Sequence, residues 1–200
     1  MHSFLNFDLA ALIQVVGYLG LFVIIFAESG LFVGFFLPGD SLLFTAGFLS
    51  SQGYGNVAFV IGICFIAAVL GDSFGYAFGR RVGPRIFTRE DGIFFRKTHV
   101  ERIRAFYHRH GAKALVFARF APVIRTFAPI LAGVGGMPYA VFISYNVIGG
   151  FLWAGGFVGL GYMLGSAIPG VDKYLLPIVA CVIVISILPS VFHFLHSRKQ

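Results

Sequence analysis

The sequence predicts an all-α polytopic membrane protein with about four transmembrane helices, two opposed re-entrant helical hairpins and a cytoplasmic interfacial amphipathic helix. Of its 200 residues, 58% are hydrophobic and only 12% are charged, whereas an ordinary soluble domain carries roughly 25% charged residues. Several apolar runs approach the roughly 20 residues that span a bilayer. Two of these runs contain helix breakers near their middle. We expect one membrane domain over residues 1–200.

Segments one and three, residues 9–27 and 57–78, are the first two predicted transmembrane helices. No basic region precedes segment one, so we expect it to stay in the mature protein instead of being cleaved as a signal peptide. In segment three, glycines recur at four-residue spacing, which places them on one helix face. Such a face predicts close packing between membrane helices. The glycines are Gly71, Gly75 and Gly79.

Segment two, residues 30–50, is apolar and long enough to span a bilayer, but Pro38-Gly39-Asp40 lies near its middle. Proline removes a backbone donor, and glycine releases the chain from helical geometry. Each half would rise roughly 12–15 Å, about half the hydrocarbon thickness. A re-entrant hairpin therefore fits as well as a kinked span. Irregular backbone at that depth is tolerated where it is buried in protein or lines a cavity.

A strongly basic loop is expected over residues 80–112. Ten of the fifteen Lys and Arg residues lie between Arg80 and Lys113, and Arg198 and Lys199 add two more. Clusters that flank apolar spans follow the positive-inside rule, so we assign both to the cytoplasm. This distribution argues against a nucleic-acid surface and is compatible with anionic lipid headgroups.

The basic loop also contains the signals of a helix. Thr98-His-Val-Glu101 has the spacing of a capping box, and Gly111 stands where a helix C′ glycine belongs. The residues between them divide into an apolar and a polar face. This pattern predicts an amphipathic helix that lies at the cytoplasmic interface.

Segment four, residues 113–136, repeats the pattern of segment two. Pro122 and Pro129 interrupt an apolar run that holds Arg119 and Arg125, and we predict a second re-entrant hairpin. Two proline-interrupted segments in corresponding halves of a chain point to a transport site near the bilayer midplane. The parity of the crossings makes the hairpins enter from opposite faces and places the N- and C-termini in the cytoplasm.

Segments five and six, residues 139–164 and 174–195, are predicted as ordinary transmembrane helices. Segment five carries two further pairs of glycines at four-residue spacing, for which we expect close-packing faces. These pairs are Gly155 with Gly159 and Gly161 with Gly165.

Five charged residues lie inside apolar segments, and they carry the functional prediction. An ionised group at the centre of a membrane helix costs roughly 3 kcal/mol on insertion scales. Such groups usually mark a transport pathway, with acids and arginines as its working parts. The five are Glu28, Asp40, Asp72, Arg119 and Arg125.

Arg119 and Arg125 are predicted to bind a phosphate headgroup. A guanidinium offers a rigid fork of donors that suits phosphate oxygens and stays charged when it is desolvated. The two arginines do not share one face of an unbroken helix, but a turn at Pro122 would aim both into one pocket. The alternative is a structural role, in which they neutralise Glu28 and Asp40 as buried ion pairs.

Glu28 and Asp40 are predicted to couple transport to protons or to gate it. Burial disfavours a charged carboxylate and a nearby arginine favours it, so the two influences compete. Asp40 has an alternative role as the N-cap of a helix that begins near Leu42. For Asp72, a structural pairing role and a role in transport are predicted equally. The residues expected to support the two chain breaks are Pro38, Gly39, Pro122 and Pro129.

Several motifs carry a resemblance to a known family. They are Glu28-Ser-Gly, Phe36-Leu-Pro-Gly-Asp40-Ser, Gly71-Asp72, Phe117-Ala-Arg119-Phe and Arg125-Thr-Phe-Ala-Pro129. Together they resemble the DedA family, also called the SNARE-associated or VTT-domain family. The resemblance implies opposed re-entrant hairpins, a bacterial inner membrane location and movement of lipids such as polyprenyl phosphates or phospholipids, dependent on the proton gradient in some members. By motif match, the family's functional charges correspond to Glu28, Asp40, Arg119 and Arg125.

We therefore expect a flippase- or scramblase-type transporter of a phosphate-bearing lipid, with protons as a second partner. One alternative is a proton-coupled small-ion transporter or antiporter that maintains membrane potential or pH. Another is a structural protein that alters lipid packing. No nucleophile–base constellation or metal-ligand spacing stands out, so we expect no enzyme activity, cofactor or metal. A homo-oligomer is compatible with the sequence.

Overall fold

A computed structural model of the chain describes residues 9–31, 39–87, 105, 107 and 111–167. The described residues form α-helices joined by turns and contain no β-strand, so the predicted all-α class is confirmed. Three predicted parts lie outside the described residues: residues 32–38 of segment two, nearly all of the predicted amphipathic helix, and segment six. The helices are α1 (Leu9–Gly30), α2 (Gly39–Ser51), α3 (Val57–Phe87), α4 (Lys113–Ala118), α5 (Pro122–Val134) and α6 (Tyr139–Ala167).

Two helices in the described part of the chain are long and apolar enough to cross a membrane. They are Val57–Gly83 of α3 and Tyr139–Ala167, the whole of α6. Helix α3 continues to Phe87, beyond residue 80, where the basic loop was expected to begin. Arginine is a good helix former, and Nη1 of Arg80 donates to the hydroxyl of Tyr76 one turn earlier (2.7 Å). The first part of the predicted loop is therefore helical.

The chain divides into two compact units. The first combines residues 1–24, 38–64 and 157–200, and the second combines residues 25–37 and 65–156. The prediction of one membrane domain over the whole chain stays a prediction.

In the first unit, α2 packs against the end of α6 through glycines. A Cβ on Gly47 would collide with the carbonyl of Val158, and a Cβ on Gly161 would collide with the carbonyl of Phe44. Gly165 also lies against α2, so the predicted packing face of Gly161 and Gly165 is confirmed. This absence of side chains lets the two backbones approach closely, as in other membrane helix pairs.

In the second unit, the glycine face of α3 contacts two other helices. A Cβ on Gly71 would lie 2.7 Å from the carbonyl oxygen of Phe26 in α1. Further along the same face, a Cβ on Gly79 would collide with the carbonyl of Ile130 in α5, and Gly83 lies against Val134. The predicted close-packing face of segment three is confirmed. It brings together the helices that carry the charged residues.

Segment four is broken at Pro122 and not at Pro129. Helix α4 ends at Ala118, and α5 begins at Pro122 after Ala121, whose backbone is extended (φ −108°, ψ 109°). A residue before proline is restricted to this region, and proline fits the first turn of a helix because its missing N–H has no partner there anyway. Pro129 lies inside α5. The prediction that it interrupts the segment is therefore wrong, because α5 continues through it as membrane helices often do.

The turns on either side of segment four are fixed by glycines and tyrosines. Gly111 has a φ of +70°, and its N–H donates to the carbonyl of Tyr107 (2.9 Å), which confirms the predicted C′ glycine. The Tyr107 hydroxyl donates to the carbonyl of Ala128 in α5 (3.0 Å). Burial raises the pKa of Tyr107 to about 12, so this hydroxyl stays a donor well into the alkaline range. After α5, the Tyr76 hydroxyl donates to the carbonyl of Met137 (2.5 Å).

We expect Gly79→Ala to destabilise the protein by about 1–3 kcal/mol, because the new methyl group would collide with the carbonyl of Ile130. Gly155→Ala is the matched control. No described atom lies within 4 Å of a Cβ added there, so the face predicted for Gly155 and Gly159 has no described partner. The free energy of unfolding is measured by denaturant titration in detergent. Equal stability of the two variants would contradict the close packing of α3 on α5.

Candidate functional site

Two buried ion pairs lie in the second unit. Arg119 pairs with Asp72 of α3, and Arg125 pairs with Glu28 of α1. The four residues are only 2–8% exposed. Removing one partner of such a pair would leave an uncompensated charge in an apolar surrounding, which is strongly unfavourable. The four side chains therefore depend on one another.

The break in segment four places the two arginines. Arg119 follows the last residue of α4, and Arg125 lies in the first turn of α5, with Pro122 between them. The guanidinium carbons of Arg125 and Arg119 lie over the ring of Trp153 in α6, 4.5 and 5.9 Å from its centroid. The turn at Pro122 thus aims both side chains at one place, as the spacing predicts.

Asn146 of α6 orients Arg119. Nη2 of Arg119 donates both to the carboxylate of Asp72 and to the side-chain oxygen of Asn146. The amide nitrogen of Asn146 in turn donates to the carbonyl of Val69 in α3 (3.1 Å). This carbonyl bond fixes the amide orientation, so the oxygen of Asn146 faces the guanidinium.

A small cavity lies between the two arginines. Its volume is about 10 Å³, which is room for about one water molecule. A phosphate headgroup does not fit into this space. In the structure the arginines are held by protein carboxylates. We call this arrangement, with no room for a headgroup, the closed state. The polar residues that line the cavity are Asp72, Arg119, Arg125 and Asn146, and its apolar residues include Leu115, Ala128, Pro129 and Phe142.

The structure corrects one expected ion pair, because Arg119 pairs with Asp72 and not with Asp40. That alternative paired the arginines with Glu28 and Asp40, whereas the structure pairs Arg119 with Asp72. Asp40 belongs to the first unit, where it is the second residue of α2. Its N-cap role near Leu42 is wrong, because Gly39 already opens the helix. An acid in the first turn still complements the helix dipole.

Two other residues of the predicted set have different roles in the structure. Pro122 opens α5, and Pro129 lines the cavity. Pro38 lies outside the described residues.

Sequence reasoning missed Asn146 and Trp153 as members of the site. Both residues could have been noticed in the sequence. Asparagine is rare within an apolar helix, and Trp153 is the one tryptophan of the chain. A buried polar amide needs partners. A search restricted to charged residues overlooks neutral groups of this kind.

We expect Asp72→Asn to cost about 3–5 kcal/mol of stability, because it removes the counter-charge of buried Arg119. Asp72→Asn combined with Arg119→Met should cost clearly less than the sum of the single changes. Ser144→Ala, at an exposed position of α6, serves as the control and should change stability little. Unfolding titrations in detergent measure all four variants. Additive costs would show that the two side chains do not interact.

The chain matches one known family over most of its length. The VTT domain model matches residues 37–163. The chain is 42% identical over 181 residues to Protein DedA of Escherichia coli K12, which covers 90% of this chain and 82% of that protein. It is 40% identical over 178 residues to an uncharacterized membrane protein of Mycobacterium leprae (89% and 79% covered) and 36% identical over 176 residues to Inner membrane protein YqjA of E. coli K12 (88% and 79%). No solved structure gives a significant match. The chain therefore belongs to the DedA family of VTT-domain membrane proteins.

Proposed function

We propose that this protein is a flippase- or scramblase-type transporter that moves a phosphate-bearing lipid, such as a polyprenyl phosphate or a phospholipid, across the membrane. The convergence of two buried arginines on one cavity and one indole carries the proposal. Charges inside apolar helices are expensive and usually functional. Two guanidinium groups at one place match the geometry of a phosphate group better than that of a neutral ligand.

Lipid binding in this proposal is an exchange of anions. In the closed state the carboxylates of Glu28 and Asp72 occupy the two guanidinium groups. A lipid phosphate entering the site replaces a carboxylate, so the arginines remain paired throughout. The cavity must widen for this exchange, while the acyl or prenyl chains stay in the bilayer.

Proton coupling follows from the displaced acid. When the lipid phosphate pairs with Arg125, Glu28 loses its counter-ion and has a second negative charge close to it. Both changes favour proton uptake by the carboxylate. Lipid binding and proton binding then reinforce each other, as linkage requires.

We further propose a topology in which segments two and four are re-entrant hairpins that enter from opposite faces. Helices α2 and α5 have 13 residues each, which gives a rise of roughly 20 Å, short of the roughly 30 Å of hydrocarbon. The basic residues 80–112 and both termini lie in the cytoplasm, by the positive-inside rule. The relative YqjA of E. coli is named an inner membrane protein, which supports a location in a bacterial inner membrane.

The water-sized cavity favours one alternative, a proton-coupled small-ion transporter or antiporter. In that case the two ion pairs would open toward water without admitting a headgroup. The proposal includes no chemical step and needs no cofactor. Transport assays with a lipid and with a small ion separate the two functions.

We expect Arg125→Lys and Arg119→Lys each to lower transport of a fluorescent phosphate-bearing lipid in liposomes by about tenfold or more, because lysine keeps the charge but loses the fork of donors. Arg81→Lys makes the same exchange at an exposed position of α3 and is the control. Wild-type transport by both site variants would favour a structural role for the ion pairs. Transport of a small ion, but of no lipid, by the unchanged protein would favour the alternative function.

We expect Glu28→Gln to keep binding a phosphate-bearing lipid and to lose its response to an imposed pH gradient, because glutamine mimics the protonated acid. Asp40→Asn is the comparison, since it neutralises an acid in the other unit and should transport almost normally. Initial rates in liposomes with and without the gradient measure both. A full gradient response by Glu28→Gln would move the coupling role to Asp72, the other acid that is paired with an arginine.

A further inference from the structure

Trp153 is the group that both arginines share. It is 1% exposed and lies on α6. Arg125 and Arg119 pair with different carboxylates, yet both guanidinium carbons lie over this one ring. Its position therefore has to be explained together with the arginines and not only as part of the apolar core.

We propose that Trp153 is a cation platform that keeps both guanidinium groups in place while their anionic partners change from protein carboxylate to lipid phosphate. This inference rests on the proposed function and adds a residue to its site. Trp153 acts through the arginines and is a positioning residue.

The chemistry of the guanidinium supports this role. Its N–H donors lie in the plane of the group, whereas the face of the group contacts aromatic rings. An indole placed over the cation therefore leaves the in-plane donors for an oxyanion. A carboxylate competes with phosphate for those donors, but a neutral indole does not. Trp153 therefore keeps its contact after the exchange, when the carboxylates of Glu28 and Asp72 no longer hold the guanidinium groups. Its contribution is consequently larger in the lipid-bound state than in the closed state.

Desolvation makes the platform effective. A cation–π contact is weak at an exposed site and becomes stronger when water is excluded. Tryptophan provides the strongest of the aromatic faces. At the moment of exchange, when Arg125 has left Glu28, the indole is a stabilising contact that costs the cation no donor.

The two arginines depend on the platform to different extents. The guanidinium carbon of Arg125 is nearer to the ring, at 4.5 Å against 5.9 Å for Arg119. Arg119 is additionally bound to Asn146, which is anchored on the carbonyl of Val69. Loss of the indole face should therefore affect lipid binding mainly through Arg125.

A fluorination series separates the platform from simple packing. Fluorine withdraws electron density from the ring face and changes the volume of the indole little. Because the chain has a single tryptophan, fluorinated tryptophans supplied to an auxotrophic expression host enter this protein at position 153 alone. Binding of a spin-labelled phosphatidic acid is then measured for the unmodified, mono-, di- and trifluorinated proteins.

We expect affinity to fall stepwise, by about threefold for the first fluorine and about tenfold or more for three. Thermal stability in detergent should stay within the range of the unmodified protein. Equal affinity across the series would overturn the platform while leaving the proposed function standing. An unmodified protein that neither binds nor transports labelled phosphatidic acid or a labelled polyprenyl phosphate would overturn the proposed function itself, and the inference with it.

Side-chain variants give a second readout. Trp153→Phe keeps a weaker aromatic face, and Trp153→Leu keeps an apolar side chain without one. The lipid concentration for half-maximal transport should rise in the order wild type, Phe, Leu, with a smaller change in the maximal rate. Phe48→Leu, which removes a buried aromatic ring in the first unit, is the matched control. A rise of the same size in Phe48→Leu would show that only packing had been lost.

Discussion

The need to compensate buried charge is the constraint on which the second unit depends. Arg119 and Arg125 cannot remain in an apolar surrounding unless anionic partners reach them from other helices. Glu28 on α1 and Asp72 on α3 meet that need. The glycine face of α3 lets these ion pairs form, because glycines have no side chains that would hold the helices apart. The ion pairs of this unit therefore depend on the glycines that let its helices pack closely.

The break before Pro122 is the second requirement. An unbroken helix would send Arg119 and Arg125 in different directions, since six positions amount to nearly two turns with a large angular offset. Ending α4 at Ala118 and restarting at Pro122 removes that restriction. The irregular backbone lies beside buried polar groups, which is where such backbone is tolerated at membrane depth.

Local patterns in the sequence predict the helical class, the helices α3 and α6, the glycine faces of Gly71–Gly79 and Gly161–Gly165, and the turn at Pro122. Each follows from neighbouring residues, such as a proline next to its extended predecessor. The choice of Asp72 over Asp40 as the partner of Arg119 depends on which helices meet, and no local pattern contains that information. The same holds for Asn146 and Trp153. Pro129 is a different case, because a breaker inside a short helix can be tolerated when its surroundings support it.

The contact between Gly30 and Gly71 has a mechanical consequence. Gly30 is two residues from Glu28, and Gly71 adjoins Asp72, so this backbone contact fixes the two acids relative to each other. Both arginines, in contrast, belong to one short stretch of chain around Pro122. A displacement of that stretch would strain both ion pairs at once, because the two acids are held in place by the contact between α1 and α3. In the proposed exchange of anions, the two ion pairs would therefore open together.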